Sequence, residues 1–237
     1  DGVDANSFGA LWYLFDAQVA AACDRLDLGR LGELDLSNWE VLVLPDGRYG
    51  DRLSGSTKDR LDAWVKNGGL VIAIGGAADR LQEEKWGSFE TWEPEEEETS
   101  DPENPALAPA EKAARKRPIP TPGAAIATEL SAKHALSLGL STSPPVLVEG
   151  DRVWKPTGDP QKDVLTAATN DLVLSGFSFP AAVERLSGSL LVVTESRGKG
   201  GVVFFAQDPA FRLFWRGTMP LVLNAALFGP TLGLGGR

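Results

Sequence analysis

The residues of this chain that could do chemistry are few, and most lie where an apolar run breaks. In GGLVIAIGGAADRL, Gly68 to Leu81, a strand-length run ends at Gly75-Gly76 and passes into a segment that can be helical. Strand, tight turn and helix together present a nucleophile or cradle a phosphate in α/β enzymes. A nucleophile there would be Ser, Cys or Asp, yet Gly75 and Gly76 have no side chain. The turn also fits neither G-x-G-x-x-G nor G-x-x-x-x-G-K-[ST]. Free N–H groups at a helix start can still hold an anion, but a tight structural turn is the simpler reading. RGKGG, residues 197–201, lies between two apolar runs and reads as a hairpin turn.

Two further positions share the geometry of that turn. Asp46-Gly47 follows the run Val41–Leu44, and Asp208 follows Val202–Ala206. In an open parallel sheet, ligands bind beyond the carboxyl ends of the strands, so Asp46, Gly47, Gly75, Gly76 and Asp208 are candidate ligand-binding residues. Asp208 precedes Arg212 by four residues, a spacing that pairs opposite charges on a helix. DPAFR is read first as a clamp between the last strand and the final helix, and second as a ligand site. His134 is the only histidine. It is retained as a binding candidate, although a lone His is most often a capping or packing residue. Cys23 is the only cysteine, so no internal disulfide is possible. It lies beside an apolar stripe and reads as a buried structural thiol. No catalytic residue and no metal ligand set emerges.

The elements that must position these residues follow from periodicity. Phe8, Leu11, Trp12, Phe15, Val19, Ala22 and Leu26 recur at steps of three and four, which predicts one helix face with Asn6 or Ser7 as its cap. Val41–Leu44 and Leu70–Ile74 are unalternating apolar runs suited to strands covered on both faces. Leu61, Trp64 and Val65 predict a helix between them, capped by Ser56 or Thr57 and ended by Gly68-Gly69. Further strands are expected at Val146–Val148, Val153-Trp154, Val164–Ala168 and Leu172–Leu174. A hairpin of Leu190–Thr194 with Val202–Ala206 follows, then a last helix through TMPLVLNAALF. The expectation is a doubly wound α/β domain with a mainly parallel sheet, in which Val41–Leu44, Leu70–Ile74 and Val202–Ala206 lie close together. A strand feeding the first helix is missing from this pattern.

Composition narrows the classes. At 237 residues and 43% hydrophobic the chain can bury a core, and no apolar run reaches the length of a membrane span. Eight of its acids lie between Glu90 and Glu103 with no base among them, and removing them leaves a net charge of −10 near −2. Lys112, Arg115, Lys116 and Arg117 follow, among seven prolines between Pro94 and Pro122. Residues 90–117 therefore read as a long solvated excursion without regular structure. This charge balance argues against a nucleic-acid surface.

The segments GALWYLFDAQ, NWEVLVLPDGRYG, LDAWVKNGGLVIAIGGAADRL, KHALSLGL, LSGFS and GGVVFFAQDPAFRLFWRGTMPLVLNAALF occur in that order. Together they resemble the C-terminal domain of large bacterial zinc carboxypeptidase-family proteins, which is similar to class I glutamine amidotransferases. The resemblance implies a single flavodoxin-like, amidotransferase-like domain over residues 1–237, with an upstream metallopeptidase domain holding the zinc and serving as partner. It also implies a periplasmic or extracellular location. It carries no catalysis onto this chain, because an amidotransferase would have Cys where Gly75 or Gly76 stands, and the family's frequent His-Pro is His134-Ala135 here. The implied function is that of a non-catalytic accessory domain packed on the peptidase or holding a substrate or cell-wall ligand. The alternatives are a free-standing glycan- or partner-binding module of this fold, and a hydrolase with a carboxylate site at Asp46 and Asp208.

Overall fold

The computed structural model describes residues 2–92 and 119–230. Its main sheet has six strands in the order β1 (Val41–Leu44), β2 (Leu70–Ile74), β9 (Gly200–Phe205), β8 (Leu190–Arg197), β6 (Asp163–Ala167) and β4 (Thr128–Leu130). The expected trio is adjacent: β1 pairs parallel with β2, and β2 with β9. All five residues of β2 are buried, so the sheet is covered on both faces there.

Beyond β9 the sheet departs from the mainly parallel expectation. β9 with β8, β8 with β6, and β6 with β4 are all antiparallel, so the sheet is mixed. The cause lies in the connections. A two-residue turn at Gly198-Lys199 joins β8 to β9, with Gly198 at φ 65°, and a turn that short can only reverse the chain. A second, antiparallel sheet of β5 (Val146–Gly150), β3 (Thr121–Ile126) and β7 (Val173–Phe177) was not anticipated. Val153-Trp154 is no strand; Trp154 makes isolated bridges to Thr91 and Leu190. Its ring packs with Phe89 and Phe204, at centroid separations of 4.6 and 6.4 Å.

The helices α1 (Ala5–Tyr13), α2 (Gly55–Lys66), α3 (Gly76–Glu83), α4 (Pro180–Leu186) and α5 (Met219–Phe228) complete the fold. The first is much shorter than its apolar stripe suggests. It widens into a π-turn over Leu14–Gln18, and Ala20 at φ 51° takes the chain out of the helix. Its cap is Asp4, whose Oδ1 accepts from the N–H groups of Asn6 and Ser7, rather than Asn6 or Ser7 themselves. Cys23 consequently sits in irregular chain and is exposed, not buried. Ser54, not Ser56 or Thr57, precedes α2. The excursion expected over Glu90–Arg117 falls, beyond Trp92, outside the described residues. No helix among the described residues is long and apolar enough to cross a membrane.

Asn224 on α5 ties that helix to the turn Ala135–Ser137. Its Nδ2 donates to the carbonyls of Leu136 and Leu138, both at 2.8 Å, and the residue is buried. Asn224→Ala would leave those carbonyls without their donor. The variant is expected to lose roughly 2 kcal/mol in a urea titration, within the range for stranded buried polar groups.

Candidate functional site

The carboxyl ends of β1, β2 and β9 converge, and their trailing residues form one edge. Gly75 N–H donates to the Phe205 carbonyl at 2.9 Å, joining the end of β2 to the end of β9. At Gly75 the backbone takes φ 57° and ψ −120°, a conformation that residues with side chains adopt only under strain. The strand-to-helix elbow is therefore present, held by a glycine.

The space beside it is filled. A side chain at Gly75 would fall on the carboxylate of Asp46, and one at Gly76 would collide with the Gly47 carbonyl. Asp46 Oδ1 accepts from Gly76 N–H at 2.7 Å and from Gly47 N–H at 2.8 Å. The chain's own carboxylate thus takes the anion position at the start of α3 and occupies the place of a nucleophile. Tyr49, whose hydroxyl donates to the Pro45 carbonyl at 2.7 Å, fixes the turn from below, and burial raises its pKa.

Ser7 links this turn to the last parallel strand. Its Oγ accepts from Asp46 N–H at 3.1 Å, and its side chain helps to favour the charged form of Asp208. Asp208 Oδ1 also accepts from Ala210 N–H at 2.9 Å. Burial raises the Asp208 pKa above 3.8, with the charges of Asp46 and Asp4 adding to it and the bonds from Ala210 and Ser7 opposing it. On the first turns of α3, Asp79 is likewise raised by burial, against the opposing pull of Arg152. Arg152 Nε donates to Asp79 Oδ2 at 2.7 Å, and its guanidinium reaches the Ala206 carbonyl at 3.3 Å. Gln207 donates to the Arg152 carbonyl at 3.1 Å. Beside Asp208, Phe211, Phe214 and Trp215 stack edge to face, with Phe214 60% exposed.

Asp46, Gly47, Gly75, Gly76 and Asp208 therefore come together as expected, whereas His134 and Arg212 do not join them. His134 accepts from Leu136 N–H at Nδ1 and meets Thr194 Oγ1 at 3.2 Å, where β8 pairs with the middle of β9. It caps a turn, and burial lowers its pKa. Arg212 forms no ion pair with Asp208 among the described residues. The chain after Pro209 makes a 3-10 turn in which Arg212 sits at φ 46°, so the helical i,i+4 geometry never arises, and its guanidinium lies over Phe211. Ser7, Asp79, Arg152 and Gln207 were missed. Asp79, three residues after Gly76 in the first turn of α3, carried a signal. Arg152 carried none, because it arrives from the chain just after β5, a strand of the second sheet. Partial desolvation and then the neighbouring Asp16 and Asp24 charges raise the pKa of the exposed Cys23, which disfavours its thiolate. No group of three or more His, Cys, Asp or Glu among the described residues is placed to hold a metal.

No family model matches the chain, and no curated protein does. Among solved structures, a ThuA-like protein from Bacteroides uniformis aligns with TM-score 0.54 at 13% identity, covering 94% of this chain and 82% of that one. A ThuA-like protein from Parabacteroides merdae aligns with TM-score 0.53 at 15% identity, covering 100% and 90%. This chain has a ThuA-like fold. That finding overturns the resemblance to a carboxypeptidase-associated domain: the motifs that suggested it mark the strand ends and turns of an α/β sheet, and such features recur across families. The ThuA-like likeness, at these identities, speaks for the fold alone.

The raised Asp208 pKa has a signed consequence. A carboxyl group that binds its proton more tightly when folded contributes stability that is complete below its unfolded pKa and is lost as pH rises through the folded value. Asp208→Asn keeps an acceptor for Ala210 and removes the charge. Its stability relative to the parent protein should therefore rise as pH climbs above about 4, the ordinary carboxylate range, in parallel denaturant titrations. A difference that stays flat with pH would contradict the assignment.

Proposed function

We propose that this domain is a non-catalytic binding module that takes a hydroxyl-rich glycan at the carboxyl edge of β1, β2 and β9. Its frame is a doubly wound, flavodoxin-like unit of the amidotransferase type in which the nucleophile has been replaced by a carboxylate lock. The observation that carries the reading is the Asp46 carboxylate, seated where a residue at Gly75 would project and bonded to the N–H of Gly76. An elbow so filled has no attacking group, and the Gly76 N–H beside it is already bonded to Asp46.

The rim supports a sugar as the ligand. Asp79 and Arg152 are partly exposed at the edge, and the Phe211, Phe214 and Trp215 cluster stands beside Asp208. Carboxylates and guanidinium groups bond pairs of hydroxyls, while exposed aromatic faces pack on the apolar faces of sugar rings. A glycan ligand goes with a periplasmic or extracellular setting.

A second reading, a hydrolase using Asp46 and Asp208, has one observation in its favour: Asp208 is perturbed by burial with Asp46 and Ser7 beside it. Against it, Asp46 Oδ1 already accepts two backbone N–H groups and Asp208 Oδ1 a third.

Titration with soluble cello-, chito- and muropeptide-type oligosaccharides, followed by tryptophan fluorescence, tests the proposal. Saturable binding is expected with one of these classes, weakened about tenfold by Phe214→Ala and by Arg152→Ala, the loss of one stacking or charge-assisted contact. No amide, ester or glycoside should be turned over. Turnover abolished by Asp208→Asn would replace this reading with the hydrolase, and the absence of any sugar binding would overturn it.

A further inference from the structure

We propose that the free edge of β1 accepts an extended apolar peptide of a partner protein, with a basic residue near Trp39, as an added strand of the six-stranded sheet. The inference rests on features separate from the glycan edge. Among the described residues β1 pairs only with β2. Leu70 N–H donates to the Glu40 carbonyl, so the alternation of a parallel ladder turns Leu42 and Leu44 towards β2 and the N–H and C=O groups of Val41 and Val43 outwards. Those outward groups have no partner among the described residues. The opposite edge of the sheet is guarded: β4 has three residues, and its Leu130 N–H donates to Ser143 Oγ. Val41–Leu44 has none of the charges, prolines or bulges that blunt an edge strand.

The outward edge faces a cavity of about 510 Å³, lined without interruption by Trp39 to Pro45. The walls are apolar, with Leu11, Trp12 and Phe15 from α1 and its π-turn, Leu28 and Leu31 from the following chain, and Leu227 from α5. An extended chain in this groove satisfies the row of N–H and C=O groups and places alternate side chains against the walls. A helix satisfies its own backbone and offers nothing to that row. A second copy presents the same strand from the floor of the same walled groove, so two such edges do not meet.

Charge selects the end of the peptide. Asp24, Asp27 and Glu40 are exposed where the groove begins, and Asp24 accepts from Trp39 Nε1 at 2.8 Å. The basic residue there, Arg25, already lies over the Trp12 ring. The rim is thus net acidic and favours a Lys or Arg on the incoming strand.

The probe is a blocked Lys-Val-Ile-Val-Val peptide, and the readout is amide hydrogen exchange resolved by NMR on the full chain. In the free protein Val41 and Val43 should exchange fast, while Leu42 and Leu44 are protected by β2. Saturating peptide should slow Val41 and Val43. Replacing the central Ile by Pro should abolish that protection, and replacing Lys by Glu should weaken binding up to about fivefold, as for an exposed pair. Val43→Lys, at a half-buried edge position, should reduce affinity about tenfold with Leu42 still protected. The proposal is overturned if the peptide leaves Val41 and Val43 unchanged, or if the Pro-containing peptide protects them equally. It is also overturned if both are already protected in a free protein that sediments as a dimer, since a second copy would then hold the edge.

Discussion

The structure depends on one carboxylate. Asp46 stands at the end of β1, yet its Oδ1 satisfies the N–H of Gly76 at the start of α3, which follows the neighbouring strand β2. A helix start leaves N–H groups that need an acceptor and favour negative charge. In many α/β proteins a ligand's anionic group meets that need. Here the chain meets it itself, and the position of the carboxylate leaves Gly75 no room for a side chain.

The consequences spread from that contact. Ser7 accepts from the N–H of Asp46, which fixes α1 to the end of β1, and Gly75 N–H donates to Phe205, which fixes the end of β2 to that of β9. Three carboxyl groups, Asp46, Asp79 and Asp208, are thereby held close at one edge, and burial raises the pKa of two of them. Arg152 offsets part of that repulsion at Asp79. Such an edge is fixed by its own bonds and open at its rim. It suits recognition of a neutral, hydroxyl-bearing ligand better than chemistry at an activated group, the basis on which we propose glycan binding. The edge of β1, which among the described residues has no strand beyond it, is a separate surface.

Much of this was legible in the sequence where strands are buried. Val41–Leu44, Leu70–Ile74 and Val202–Ala206 announced themselves as unalternating runs, and their ends correctly gathered Asp46, Gly75, Gly76 and Asp208. What failed were the inferences that needed conformation. The stripe from Phe8 to Leu26 has helical spacing, but its later members serve the wall of a cavity after Ala20 leaves the helix. Asp208 and Arg212 have helical spacing too, but a left-handed residue lies between strand and helix. Arg152 could not be foreseen, because its place depends on a second sheet whose central strand, Thr121–Ile126, was not expected, although strands were expected near both of its partners, Val146–Gly150 and Val173–Phe177. The family resemblance misled for a related reason: turns rich in Gly, Asp and Pro recur wherever a parallel sheet ends, and they mark architecture more than descent.

The central claim is that Asp46 occupies the place of the nucleophile at the elbow. A double-mutant cycle on Gly75→Ala and Asp46→Ala, read as unfolding free energy, tests it most directly. With Asp46 present, the added methyl group meets both the carboxylate and the strained backbone; with Asp46→Ala only the strain remains, worth about 1–3 kcal/mol. The account predicts that Gly75→Ala costs less in the Asp46→Ala background, by more than about 1 kcal/mol. Equal costs in the two backgrounds would mean that the carboxylate does not fill that space, and the lock would be wrong.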